Sequence, residues 1–145
     1  MFCPNQPLQH LIVKGLNEEP NHNYFQKQRD NYKGKRDLLM KCFDDLKMKY
    51  TAAQGAYFLL VDITNLKIPQ EDMNEIPEEI KSRGRDWLVC YWMTTKIGVA
   101  CIPPSSFYLQ NHAHIGEKYI RFCFCKDDDI INKAITKLKE LNKYI

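Results

Sequence analysis

The sequence predicts a small α+β domain, an antiparallel or mixed sheet with helices packed on one face. Three observations lead there. Two segments, "AYFLLVDI" (56–63) and "YIRFCFCK" (119–126), are rich in the aromatic and branched residues that suit a pleated surface. Longer segments carry apolar residues at helical spacing. The order along the chain is helix, strand, helix, strand, strand, helix.

The first twenty residues predict an extended lead-in and then a short helix, "PLQHLIVKGL", which stops at the turn-rich "NEEPNHN". A long polar helix follows from about Phe25 to Lys49. Its apolar stripe is Leu39, Phe43 and Leu46, with Leu38 and Cys42 beside it. "YTAAQG" links it to residues 56–63, whose unbroken apolar run predicts a strand central in its sheet. Residues 64–83, with two prolines and an acidic cluster, predict a long surface loop. "RDWLVCYWMTTKIG" predicts a helix with Leu88, Tyr91, Trp92 and Thr95 on one side and Gly98 as its stop. "VACI" predicts a short strand ended by Pro103 and Pro104, and "SSFYLQNHAHIGEK" a loop. After the strand at 119–126, "DDDIINKAITKLKELNKY" predicts a last helix with Ile131, Ile135, Leu138 and Leu141 inward. Aspartates at its start and lysines through its end match the helix dipole.

Composition narrows the function. A net charge of +3 is too small to argue by itself for nucleic acid or membrane. The longest apolar run, "AYFLLV", is far too short to span a bilayer. "MFCPNQPLQH", with Pro4 and Pro7, does not read as a secretory leader. The six cysteines, at 3, 42, 90, 101, 123 and 125, form no CxxC pair, and four lie in apolar segments where a thiol packs as a small hydrophobe. Neither a disulfide framework nor a metal site is expected, and the expected compartment is reducing.

Phosphate-cradling loops of the GxxxxGK[ST] and GxGxxG types are absent, as is a GxSxG elbow. His112 and His114 in "NHAHIG" read as a solvent-facing pair, because no carboxylate or cysteine cluster accompanies them. The cations Lys27, Arg29, Lys33, Lys35, Arg36, Lys41, Lys47 and Lys49 alternate with Asp30, Asp37, Asp44 and Asp45. That is a solvated helix face before it is a nucleic-acid surface. Trp87, Tyr91 and Trp92 read as core.

Arg121 is the anomaly. Strand alternation points Ile120, Phe122 and Phe124 toward the packed helices and Tyr119, Arg121, Cys123 and Cys125 the other way. A guanidinium there must be paired or must open into a cavity. Two readings stand on pattern alone: a salt bridge with Asp62 on the central strand, or a ligand-binding role.

Several blocks carry a resemblance. "AAQGAYFLLVDIT" (52–64), "DWLVCYWM" (86–93), "GVACIPPSSFY" (98–108) and "KYIRFCFCKDDDIINKAITKL" (118–138) resemble, in order and spacing, the C-terminal region of kynurenine–oxoglutarate aminotransferases. These enzymes are also cysteine-S-conjugate β-lyases, of the fold-type I pyridoxal-phosphate class. "NYFQKQRDNYKGKRDLL" (23–39) resembles the long helix leading into their small domain. The resemblance implies that residues 1–22 close the large, cofactor-binding domain and that residues 23–145 are the small C-terminal domain. It implies that Arg121 binds the α-carboxylate of the amino-acid or 2-oxo-acid substrate, where a planar fork meets both oxygens at once.

The resemblance further implies transamination with pyridoxal 5'-phosphate, β-elimination on cysteine conjugates as a second activity, a homodimer, and neither nucleic acid nor membrane as partner. The location implied is cytoplasmic, with mitochondrial as the alternative. The Schiff-base lysine and the phosphate-binding groups match nothing in this sequence, so no catalytic, cofactor-binding or metal residue is expected here and the chain alone is expected to be inactive. Two other readings are a non-catalytic partner of a full-length subunit and a free-standing RNA-binding α+β module. "YIRFCF" has the aromatics of an RNA-recognition strand but lacks its glycines.

The cysteine spacings lead to a direct test. Thiol titration of the denatured chain without reductant is expected to count all six cysteines, and a count of four or fewer contradicts a reducing compartment.

Overall fold

Residues 5–145 are described by a computed structural model, and the chain divides into two units, residues 1–34 and 35–145. Most of the expected extended lead-in falls on residues 1–4, outside the described residues. No helix among the described residues is long and apolar enough to cross a membrane.

In the first unit, α1 spans Gln6–His22 and does not stop at the turn-rich segment. The Asn5 side chain accepts the Leu8 amide at 3.3 Å, capping a first turn that contains Pro7. Pro20 forfeits one amide near the end, yet the break comes only at Asn23, in the left-handed region at φ 52°. Its amide donates to the Glu19 carbonyl at 2.8 Å. The Glu19 carboxylate accepts the Phe25 amide at 2.9 Å, so the next helix begins at once. That helix, α2, runs Tyr24–Asp45 and crosses from one unit into the other. No residue of α1 is buried, and Leu8, Leu11, Ile12, Val13 and Leu16 are exposed.

In the second unit a three-stranded antiparallel sheet has the order β1-β2-β3, with β1 at Tyr50–Thr51, β2 at Phe58–Asp62 and β3 at Tyr119–Cys123. The central position expected for 56–63 is found, and only one face of the strand is buried. Leu59, Val61 and Ile63 are buried, whereas Phe58, Leu60 and Asp62 are only partly covered or exposed. An antiparallel sheet with helices on one face buries only one set of alternate residues. Register pairs Leu60 with Arg121 and Val61 with Ile120, so Ile120, Phe122 and Phe124 join the buried side. The second unit's part of α2 contributes Leu39, Cys42 and Phe43, and Phe43 meets the Phe122 ring at 5.2 Å. Its cations have local acceptors. Lys35 donates to the Lys126 carbonyl at 2.7 Å, and Arg36 to the Asp37 carboxylate and the Ala53 carbonyl.

Residues 64–83 contain two short helices rather than a bare loop: α3 at Gln70–Glu75 and α4 at Glu78–Lys81. Each starts after a proline and has acidic residues in its first turn, which complement the helix N-terminus. The next helix, α5, spans Arg85–Trp92 and continues as a π-helical turn over Met93–Ile97, ending at Gly98 with φ 77°. Trp92 is buried as expected, but the rest of the inward face is Asp86, Val89, Cys90, Met93 and Ile97. Leu88 and Tyr91 are half-buried and Thr95 is exposed. Trp87 is half-buried under the Arg83 guanidinium, 4.4 Å from its ring centre.

The strand expected at "VACI" reduces to a single bridge between Ile102 and Arg121. The Val99 amide already donates to Met93 in the helix end, and Pro103 and Pro104 have no amide with which to extend the pairing. The following segment forms 3-10 turns at Pro104–Phe107 and Gln110–Ile115. Last, α6 spans Asp128–Leu138 and buries Ile131 and Leu138. Leu141 is buried in the 3-10 turn that follows, and Ile135 is half-buried.

The link between α3 and the helix at 85–97 has a pH signature. The Trp92 indole N–H donates to Asp72 at 2.8 Å, and Lys96 reaches Asp72 at 3.2 Å and Glu75 at 2.8 Å. The indole bond first, and then Lys96, hold the Asp72 carboxyl below its usual range. A depressed carboxyl stabilises the fold above its unfolded pKa of about 3.9, and that contribution is lost as pH falls toward the lower folded value. The stability gap between wild type and Asp72→Asn is therefore expected to be constant near neutrality and to shrink below about pH 4. Urea melts followed by tryptophan fluorescence check this.

Candidate functional site

Arg121 leaves the sheet on the face opposite the core, as its alternation requires. Its backbone is held on both sides. β3 pairs with β2 on one side, and on the other the Arg121 amide donates to the Ile102 carbonyl at 3.0 Å, while the Ile102 amide donates back at 3.0 Å. The guanidinium carbon lies 4.2 Å from the centre of the Phe58 ring and 4.3 Å from that of Phe107. Phe58 is one diagonal neighbour of Arg121 across the ladder, because the residue directly opposite is Leu60.

The salt bridge with Asp62 does not form. Asp62 is the other diagonal neighbour, opposite Tyr119, and its carboxylate accepts the Thr64 amide at 2.8 Å. Long side chains reach either diagonal, and here the guanidinium takes the aromatic one. Among the described residues no carboxylate pairs with Arg121, and its Nε is buried with no hydrogen-bond acceptor. A buried donor without an acceptor costs about 1–3 kcal/mol. Two cation–π contacts return about 0.5–1 kcal/mol each where partly exposed. The arrangement is near break-even for folding, so stability alone does not account for it.

Other candidates separate from this face. His112 and His114 are exposed in a 3-10 turn with ring centres 6.5 Å apart, and no group of three or more potential metal ligands occurs among the described residues. The thiols of Cys90 and Cys101 lie 3.4 Å apart, well beyond a bonded S–S distance of about 2.05 Å. Hydrogen bonding with Cys101, and then burial, push the Cys90 thiol far upward, which suppresses the thiolate needed for reactivity. Cys3 lies outside the described residues.

Sequence reasoning passed over Phe58 and Phe107, the two rings around the arginine. Phe58 was readable from spacing once the register was known. Phe107 follows two prolines in an irregular stretch, where no periodicity reports its direction.

The family profile described as aminotransferase class I and II matches residues 1–138. A candidate kynurenine–oxoglutarate transaminase of Saccharomyces cerevisiae, Bna3, is 37% identical over 144 residues, covering 99% of this chain and 32% of that protein. The chain belongs to the class I and II aminotransferases. Another relative of this aminotransferase chain, the kynurenine–oxoglutarate transaminase of Dictyostelium discoideum, is 34% identical over 98% of the chain and 33% of its own length. The crystal structure of the yeast protein superposes with a TM-score of 0.90, over 96% of this chain and 32% of that one. An aromatic aminotransferase from Pyrococcus horikoshii matches with a TM-score of 0.73 at 19% identity, over 97% of this chain and 32% of that one, and so shows the shared fold alone. The chain thus spans about a third of the length of these relatives.

The described residues do not fit the cofactor that the family implies. A lysine that forms an imine is activated by burial or by a neighbouring cation, either of which lowers its pKa. No lysine among the described residues is buried, and Lys96 is shifted the other way, upward, by Glu75 and Asp72.

Gly116 supports the site from behind. A Cβ there would stand 2.5 Å from the Ser105 amide nitrogen and 2.8 Å from the Pro104 carbonyl carbon, both backbone atoms that cannot swing aside. Gly116→Ala is expected to destabilise the fold by about 1–3 kcal/mol, as overpacking does. A denaturant melt at unchanged m-value measures it.

Proposed function

We propose that this chain is the C-terminal part of a pyridoxal-phosphate-dependent aminotransferase of the kynurenine–oxoglutarate type, and that Arg121 binds the substrate α-carboxylate. One observation carries the reading: none of the side-chain N–H groups of Arg121 has an acceptor among the described residues, although its backbone is held on both sides and its side chain lies against two rings. A guanidinium in that condition presents a planar fork suited to both oxygens of a carboxylate. Its role is positional. Holding the carboxylate fixes the orientation of the substrate's Cα bonds, while bond-making belongs to groups elsewhere.

In the complete enzyme the cofactor supplies the electron sink for amino-group transfer, and its lysine comes from outside this chain. Residues 1–22 close the large domain and residues 23–145 form the small one. The exposed apolar side chains of α1 favour this assignment, since a helix with no buried residue gains little by itself. The complete enzyme is a cytoplasmic homodimer acting on amino-acid and 2-oxo-acid substrates.

The test is Arg121→Ala and Arg121→Lys in the complete protein. Truncating one member of a desolvated charge pair costs about 2–5 kcal/mol. At about 1.4 kcal/mol per decade, kcat/KM is expected to fall roughly thirty-fold to several thousand-fold for Arg121→Ala. Arg121→Lys keeps the charge, loses the fork and falls between. Cofactor absorbance is expected to be unchanged in both. Wild-type efficiency in the Ala variant returns Arg121 to a structural role.

A further inference from the structure

Asp86 has no exposed surface, and together with Ser105 it makes up the buried polar and charged residues among those described. No cation pairs with it among the described residues. Its two oxygens accept backbone amides instead: that of Trp87 at 3.0 Å and that of Ser105 at 2.8 Å. The first is local to α5. The second reaches nineteen residues along the chain. A buried carboxylate is costly unless hydrogen-bonded, and an apolar residue of similar size often serves stability as well. The Ser105 bond therefore points to something besides stability.

Ser105 sits in the Pro104–Phe107 turn, and Phe107 is one of the two rings against Arg121. The rings differ in what holds them. Phe58 belongs to β2 and is fixed by pairing with Cys123. Phe107 is 62% exposed, so little packing of its own fixes it, and its place depends on the turn. One end of the turn follows the Ile102–Arg121 backbone pair. The Ser105 amide is pinned between the Asp86 carboxylate and the backbone of Gly116. The Ser105 carbonyl then accepts the Tyr108 amide at 3.1 Å, closing the turn around Phe107.

We infer that Asp86 is a positioning residue for the Arg121 clamp: its bond to the Ser105 amide sets the Pro104–Phe107 turn and so holds Phe107 against the guanidinium. The inference rests on the reading of Arg121 as the carboxylate clamp. Loss of the bond frees the turn, the ring leaves the guanidinium, and the fork loses its fixed direction. A fork that must be ordered as the substrate arrives holds a carboxylate less tightly.

A double-mutant cycle in the complete enzyme tests this, with L-kynurenine and 2-oxoglutarate as substrates. Asp86→Ala removes both acceptors. Asp86→Asn has nearly the same size and keeps one, and it carries the cycle should Asp86→Ala fail to fold. In the wild-type background KM for kynurenine is expected to rise about ten-fold for Asp86→Ala and about three-fold for Asp86→Asn, with kcat changed less than about two-fold. In the Arg121→Ala background the same substitutions are expected to change kcat/KM by less than about two-fold, because the group they position is gone. Equal losses in both backgrounds overturn the inference and leave Asp86 a structural residue. An Arg121→Ala variant with undiminished activity overturns the clamp reading itself, and is seen before Asp86 is touched.

Discussion

The antiparallel register of β2 against β3 places Leu60 opposite Arg121, and the chemistry of the sheet depends on that pairing. Side chains alternate with a period of two, so a slip of one residue would exchange the faces. Arg121 would then enter the core beside Phe43, and Ile120 and Phe122 would face out. The buried set on both strands and just beyond them, Leu59, Val61, Ile63, Ile120, Phe122 and Phe124, prevents the slip, since a one-residue shift would bury a charge and expose large apolar groups.

On the open face the same register offers Arg121 a choice of two diagonal neighbours, Asp62 and Phe58. Taking Asp62 would have given an ion pair of modest worth near the surface. The side chain lies instead over Phe58 and Phe107, and Asp62 serves the turn after β2 by accepting the Thr64 amide. The outcome retains the full charge of the guanidinium without neutralising it. The proposed carboxylate role of Arg121 rests on that uncommitted guanidinium.

How the irregular segments are held follows from backbone satisfaction. Pro103 and Pro104 end the Ile102 pairing because they lack amides, and the next amide available, that of Ser105, goes to a carboxylate rather than to a strand. Gly116 allows the two backbones to meet where any side chain would collide. Arg85 does comparable work at the same helix start, donating to the Ile63 and Leu66 carbonyls in the segment that follows β2.

Some of this was legible in the residues. The α+β class, the central strand, the stripe Leu39, Phe43 and Leu46 and the outward direction of Arg121 follow from periodicity, which is a property of neighbours in the chain. Where local rules compete, the sequence was a weaker guide. Pro20 and the turn-rich residues around it suggested a helix end that the Glu19 contacts delay to Asn23. The π-helical turn at Met93–Ile97 followed an inward face different from the expected Leu88, Tyr91 and Thr95. The sequence by itself determined which residues alternate, which stripe is apolar, and that one arginine stands in an apolar strand. Only the tertiary structure decided that Arg121 meets Phe58 and Phe107 instead of Asp62, and that Asp86 reaches Ser105, because those partners come from segments far apart in the chain and are chosen by packing and register, which no local pattern encodes.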